Sequence, residues 1–191
     1  MAAGTEGPSV PPVAWAAWRP APAGAIRCGR EHGRERGTID EVARRLSHEE
    51  LAVAEQLASE GHLVHSLAAG RRGGRTPDLL ECRAPVEVKS WLSRAERGGV
   101  APGAQSVLNK LIHAEGQAAL VVLNGRGSGL TAASAEAGLV AYAGLPHRAP
   151  IAAVRVLGDG FDLAWARRPT LWRHRDGPAI RSPGPEAVLG R

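Results

Sequence analysis

An α/β fold, a mixed central sheet flanked by helices, is what the sequence predicts, and three observations carry that expectation. QAALVVLN (117–124) is a continuous apolar run, the mark of a strand covered on both faces. Directly before it, GAQSVLNKLIHAEG (103–116) puts Val107, Leu108, Leu111 and Ile112 on one helical face. HLVHSL (62–67) alternates polar and apolar residues as a strand does. The resulting order is helix, three strands, helix, strand, with no internal repeat.

Residues 1–37 are rich in Ala, Pro, Gly and Arg without a sustained period, and are expected to form a disordered or loosely attached leader. The domain is expected over residues 38–175, followed by a flexible tail at 176–191. TIDEVARRL (38–46) places Ile39, Val42, Ala43 and Leu46 at helical spacing, with Thr38 and Glu41 as a capping box, so a short helix is predicted there. A second capping box, Ser47 with Glu50, opens SHEELAVAEQLASEG (47–61). Leu51, Ala54, Leu57 and Ala58 form its apolar face, and Gly61 closes it.

After HLVHSL, the cluster AAGRRGGR (68–75) reads as a loop. TPDLLE (76–81) and PVEVKS (85–90) read as two short strands around a turn at Cys82 to Pro85, Pro85 being tolerated as a first strand residue. A helix near 131–141 and strands near 151–157 and 161–166 complete the domain.

The chain has 191 residues, enough for one domain with a real core. Its net charge of +5 and pI near 10.2 favour polyanionic partners, nucleic acid first among them. Two cysteines, Cys28 and Cys82, lie far apart with no CxxC, which argues against a disulfide framework or a zinc site. The seven histidines show no HExxH spacing. VAWAAW (13–18) is too short, and too closely flanked by prolines, for a signal core or a membrane span, so the cytoplasm is the expected location.

Of the 24 basic residues only Lys89 and Lys110 are lysine. Where a bare positive charge suffices the sequence writes Arg, so a retained Lys points to a site that wants a compact, mobile ammonium. Lys89 sits in RTPDLLECRAPVEVKSW (75–91). A hairpin connection centred between Arg83 and Ala84 sets Asp78 opposite Lys89 and Leu80 opposite Glu87. Strand alternation then gives Asp78, Glu87 and Lys89 one face and Leu79, Val86 and Val88 the other; an odd-length loop would break this parity.

Two carboxylates and an ammonium on one strand surface have a chemical use. Asp78 and Glu87 can hold a hard cation such as Mg2+ (or Mn2+), with the Val88 carbonyl and waters completing the shell. Such a cation polarises a phosphodiester and activates a bound water, and Lys89 could orient that water or stabilise the transition-state charge.

Pro77-Asp78 followed by Glu87-x-Lys89, in a helix, strand, hairpin, helix, strand context, resembles the PD-(D/E)XK nuclease superfamily, whose fold is restriction-endonuclease-like with an αβββαβ core. The wider pattern is Glu50, Ala54, Leu57, Gly61 and Val64, then TPDLL, VEVKS, and Ala114-x-x-Gln117 leading into a buried strand. It resembles the C-terminal tRNA nuclease domains of bacterial contact-dependent growth inhibition toxins over roughly residues 47–125. The resemblance implies a toxin-like, Mg2+- or Mn2+-dependent endonuclease acting on RNA, with tRNA as substrate and an inhibitor (immunity) protein as partner. Under it Asp78, Glu87 and Lys89 are catalytic, Glu50 is an additional acid near the metal, and Gln117 is an auxiliary polar group.

Plainer readings stand beside these. Glu50 serves a capping box without any catalytic role, and Gln117 is a helix-to-strand boundary residue. Ser90, Arg71, Arg72 and Arg75 are candidate phosphate contacts, or a strand end and a basic loop. Lys110 is expected on the solvent face of its helix, with contact to a substrate phosphate as the alternative. WARRPTLWRHR (165–175) could stack bases, though Trp165 more simply ends a core strand. GRGSG (125–129) lacks the spacing of a nucleotide-binding loop. The alternatives to an RNA nuclease are a DNA endonuclease of repair or restriction type and a non-catalytic nucleic-acid-binding module on the same scaffold.

Overall fold

Eight strands make one mixed sheet in the computed structural model, which describes residues 18–21, 37–68, 76–81, 84–145 and 151–167. The described elements are β1 (Trp18–Ala21), β2 (Thr38–Asp40), α1 (His48–Ser59), β3 (Leu63–Ser66), β4 (Leu79–Glu81), β5 (Ala84–Ser90), α2 (Ala104–Ala114), β6 (Leu120–Asn124), α3 (Ala132–Ala143), β7 (Ala153–Gly158) and β8 (Phe161–Arg167). The strand order across the sheet is β1-β8-β7-β6-β5-β4-β3-β2. The expected α/β class, a mixed sheet flanked by helices, is what the chain adopts.

The centre is parallel, β5 to β6 and β6 to β7, because α2 and α3 carry the chain back between those strands. The continuous apolar run of β6 is divided between two cores. Val121 and Leu123 join α2 and α3 through Val107, Leu111, Leu139 and Tyr142, whereas Val122 joins Val53, Ala54 and Leu57 of α1 on the other face. α1 is held at its start by the predicted capping box: Ser47 Oγ accepts the Glu50 N–H, and Glu50 accepts the Ser47 N–H. Gly61, at φ 92°, ends it in the left-handed region where glycine carries no Cβ penalty.

Two expectations fail locally. Residues 38–46 form no helix. Thr38–Asp40 is β2, parallel to β3, and Val42, expected on an apolar helical face, is 91% exposed. Side chains take the backbone donors a helix would need: Asp40 Oδ1 accepts the Val42 N–H, Glu41 accepts the Leu46 N–H, and Ser66 Oγ accepts the Arg44 N–H. Within the stretch expected as a leader, Trp18–Ala21 pairs antiparallel with β8, and Trp18 is buried edge-on against Tyr142, ring centroids 6.2 Å apart.

The hairpin of β4 and β5 pairs Leu79 with Val86, Leu80 with Pro85 and Glu81 with Ala84. The connection is therefore centred between Cys82 and Arg83, residues outside the described set, and the register is displaced by two from the expected one. Asp78 lies beside Val86 and Glu87 rather than opposite Lys89. A displacement of two leaves every side chain on its expected face, and Leu79, Val86 and Val88 are buried together as predicted.

Candidate active site

Because β4 runs antiparallel to β5, the residue that enters β4, Asp78, arrives beside the second half of β5, which carries Glu87 and Lys89. The N-terminal turn of α1 brings Glu50 to the same place. A cavity of about 560 Å³ lies there, lined by Glu50, Asp78, Val88, Lys89, Ser90 and Lys110 among others.

Glu87 is 1% exposed. One of its oxygens takes the Lys89 ammonium as partner, while the other, Oε2, is buried with no hydrogen-bond donor among the described residues. Burial raises the Glu87 pKa, and the Asp78 carboxylate beside it adds to the rise, with Lys89 working against both. Asp78 accepts the Val88 N–H at 2.9 Å through Oδ2. Its pKa is also raised, by burial first and by the charge of Glu50, the Val88 bond opposing. Clustered carboxylates with a shortage of donors are a cation-seeking arrangement.

A cation already stands at one edge of this cluster. Arg44 binds Glu50 with both terminal nitrogens, at 2.6 and 2.8 Å, and lies 3.6 Å from Asp78 Oδ1. Its Nε–H donates to the Leu67 carbonyl at 2.8 Å, so it is fixed by backbone as well as by charge. Although burial acts to raise the Glu50 pKa, the Arg44 bonds prevail and hold it low. Sequence reading missed Arg44 because it lay inside a segment with helical spacing; Glu49, Arg97 and Ser106, which also line the cavity, gave no signal either.

Among the described residues, no three His, Cys, Asp or Glu side chains are gathered as a ready-made metal cage. Two carboxylates with oxygens to spare suit Mg2+ or Mn2+, which binds through one or two carboxylates and keeps several waters. The orphaned Glu87 Oε2 fits that demand. Glu50 commits both oxygens to Arg44, so it stands behind the pair rather than beside it.

Of the other expected contacts, Ser90 lines the cavity, with a buried Oγ that has no partner among the described residues. Gln117 does not line it; its amide N–H donates to the His113 carbonyl at the end of α2. Arg71, Arg72 and Arg75 lie outside the described residues. Lys110, expected on a solvent face, lines the cavity, its pKa lowered by burial and then by Lys89 and Arg97. Trp165 packs against the core from β8, and residues 168–175 are outside the described set. The GRGSG loop uses its own polar groups: the Gly127 N–H donates to Asp159 at 3.0 Å, and its carbonyl accepts the Arg94 N–H at 2.7 Å. No helix among the described residues is long and apolar enough to cross a membrane.

No protein-family profile and no curated protein matches the chain. Among solved structures, a chain of the "CdiA-CT/CdiI toxin and immunity complex from Burkholderia pseudomallei" is similar to it, with a TM-score of 0.40 and 18% identity, over 68% of this chain and 98% of that one. A likeness so distant says nothing about the cavity, whose reading rests on its own geometry.

Proposed function

We propose that the chain is a metal-dependent endonuclease that hydrolyses phosphodiester bonds in RNA, with tRNA as the substrate and a toxin-like role. The observation that carries the nuclease reading is the meeting of Asp78 and Lys89 in one cavity, with Glu87 buried behind Lys89 and its Oε2 left without a donor among the described residues. RNA, tRNA and an inhibitor protein as partner rest on the sequence resemblance alone.

In this reading Asp78 and Glu87 would hold Mg2+ or Mn2+, with the Val88 carbonyl as the candidate backbone ligand. The bound ion supplies Lewis acidity to the phosphodiester and lowers the pKa of a water. Lys89, tethered to Glu87 but partly open to the cavity, donates hydrogen bonds to the attacking water or to a phosphoryl oxygen as its charge grows. Arg44 keeps Glu50 ionised and oriented, and so maintains the negative field around Asp78. Arg71, Arg72, Arg75 and Ser90 contact phosphates of the bound strand, and Gln117, which does not line the cavity, keeps an auxiliary polar role only under the resemblance.

Cleavage of labelled tRNA and of plasmid DNA, with and without EDTA, tests the proposal. The wild-type chain is expected to cut tRNA only with the metal, and Asp78→Ala and Lys89→Ala to lose at least about 100-fold in rate while melting cooperatively. Activity unchanged in both variants rejects the site. Cutting confined to plasmid moves the substrate to DNA, and RNA binding with no cutting at any metal concentration leaves a binding module.

A further inference from the structure

The mechanism uses Lys89 and leaves two other cations of the same cavity without a task, Lys110 from α2 and Arg97 from the turn before it. Among the described residues neither has an acidic partner: Arg97 donates its Nε–H to the Val100 carbonyl at 3.2 Å, and the Lys110 ammonium lies 5.7 Å from the centroid of the Trp91 ring. Trp91 is buried, and its indole N–H is pinned to Ser106 Oγ at 2.8 Å, one helical turn before Lys110. The aromatic face therefore fixes the ammonium rather than leaving it to sweep through solvent.

Lys89, Arg97 and Lys110 thus share one cavity, and among the described residues only Lys89 has a countercharge. Half-buried cations set close to one another lose free energy until an anion joins them, and burial, Lys89 and Arg97 all act against the protonated form of Lys110. The cavity is bipolar: carboxylates come from α1 and the start of β4, and cations with no acidic partner among the described residues come from α2 and the turn before it. Carboxylates that seek a metal and cations that seek an anion, lining one cavity, match a ligand with one phosphate to be cut and another beyond it.

We infer that Lys110 and Arg97, braced by Trp91, form an anion subsite that takes a second phosphate of the nucleic-acid strand, next to the phosphate being cleaved. The adjacency of the two phosphates rests on the nuclease reading; the anion site itself rests on two cations without an acidic partner among the described residues and on the aromatic brace. Substrates that continue past the cut are favoured over those with a single internucleotide phosphate.

The test is metal-free binding, read apart from cleavage. Fluorescence anisotropy with a fluorescein-labelled single-stranded RNA of about 12 nucleotides, in EDTA and across a salt series, gives the slope of log Kd against log salt. Lys110→Met and Arg97→Met are each expected to lower that slope by about 0.7 and to weaken binding about fivefold near 0.1 M salt. Lys110→Arg keeps the slope, and Arg45→Met, an exposed arginine that does not line the cavity, leaves slope and affinity unchanged. No RNA binding by the wild-type chain, unchanged slopes in Lys110→Met and Arg97→Met, or an equal loss in Arg45→Met overturns the subsite. Lost slope in the two cavity variants beside a wild-type chain that cuts nothing supports the anion site and counts against the nuclease reading alone.

Discussion

Arg44 shows how much of the site depends on a residue that touches no expected reacting atom. Both oxygens of Glu50 depend on it, and Asp78 feels its charge at 3.6 Å. Replacing it by Met should lower the cleavage rate by about 10- to 100-fold, the range for a group that orients a metal-site carboxylate. Steady-state kinetics in Mg2+ measures this, and wild-type kcat/KM in Arg44→Met would remove Arg44 from the site. Asp78, Glu87 and Lys89 were legible because strand period alone gives them one face, a rule that survived a two-residue error in register. Arg44 was not legible, because its role depends on Leu67 and Glu50, brought to it by chain folding rather than by any local period. Lys110 was half legible: its identity as one of two lysines drew notice, while its helical position suggested solvent.

Elements with strong periods formed where expected, and α1 with its capping box is the clearest case. The segment 38–46 shows the limit, since apolar spacing alone cannot outweigh Asp40, Glu41 and Ser66 competing for its N–H groups. The far end of α1 is tied to the sheet by Arg155 of β7. Its guanidinium donates to Glu60 at 2.7 Å and to Asp162 of β8 at 3.0 Å. Burial would raise the Glu60 pKa, but Arg155 and then Gln56 lower it. A carboxyl whose folded pKa is depressed stabilises the fold above its unfolded value near 4.5, and that contribution disappears as pH falls through the folded value. Glu60→Gln should therefore lose about 1 kcal/mol at pH 7, allowing for partial exposure, and its thermal midpoint should fall less steeply than the wild type's from pH 5 to pH 3. Parallel pH profiles would show that the pair adds nothing to stability.

Across the whole molecule, the antiparallel β4 set against a parallel centre lets α1 from one face and α2 from the other meet at the same cavity. The central order was readable from alternating periods. The sheet edges were not: β1 and β2 are short strands of weak pattern, held by partners distant in sequence. Trp18 makes the point testable. It is buried in the core under α3, so Trp18→Ala should cost about 3–5 kcal/mol in urea unfolding, whereas a loss within 0.5 kcal/mol would detach β1 from the fold. The central claim, that Asp78 and Glu87 converge on one cation, is tested most directly by Mn2+ titration followed by electron paramagnetic resonance. One site per chain is expected, weakened at least about tenfold in Asp78→Asn and in Glu87→Gln and unchanged in Gln117→Ala. Equal Mn2+ affinity in the wild-type chain, Asp78→Asn and Glu87→Gln would contradict it.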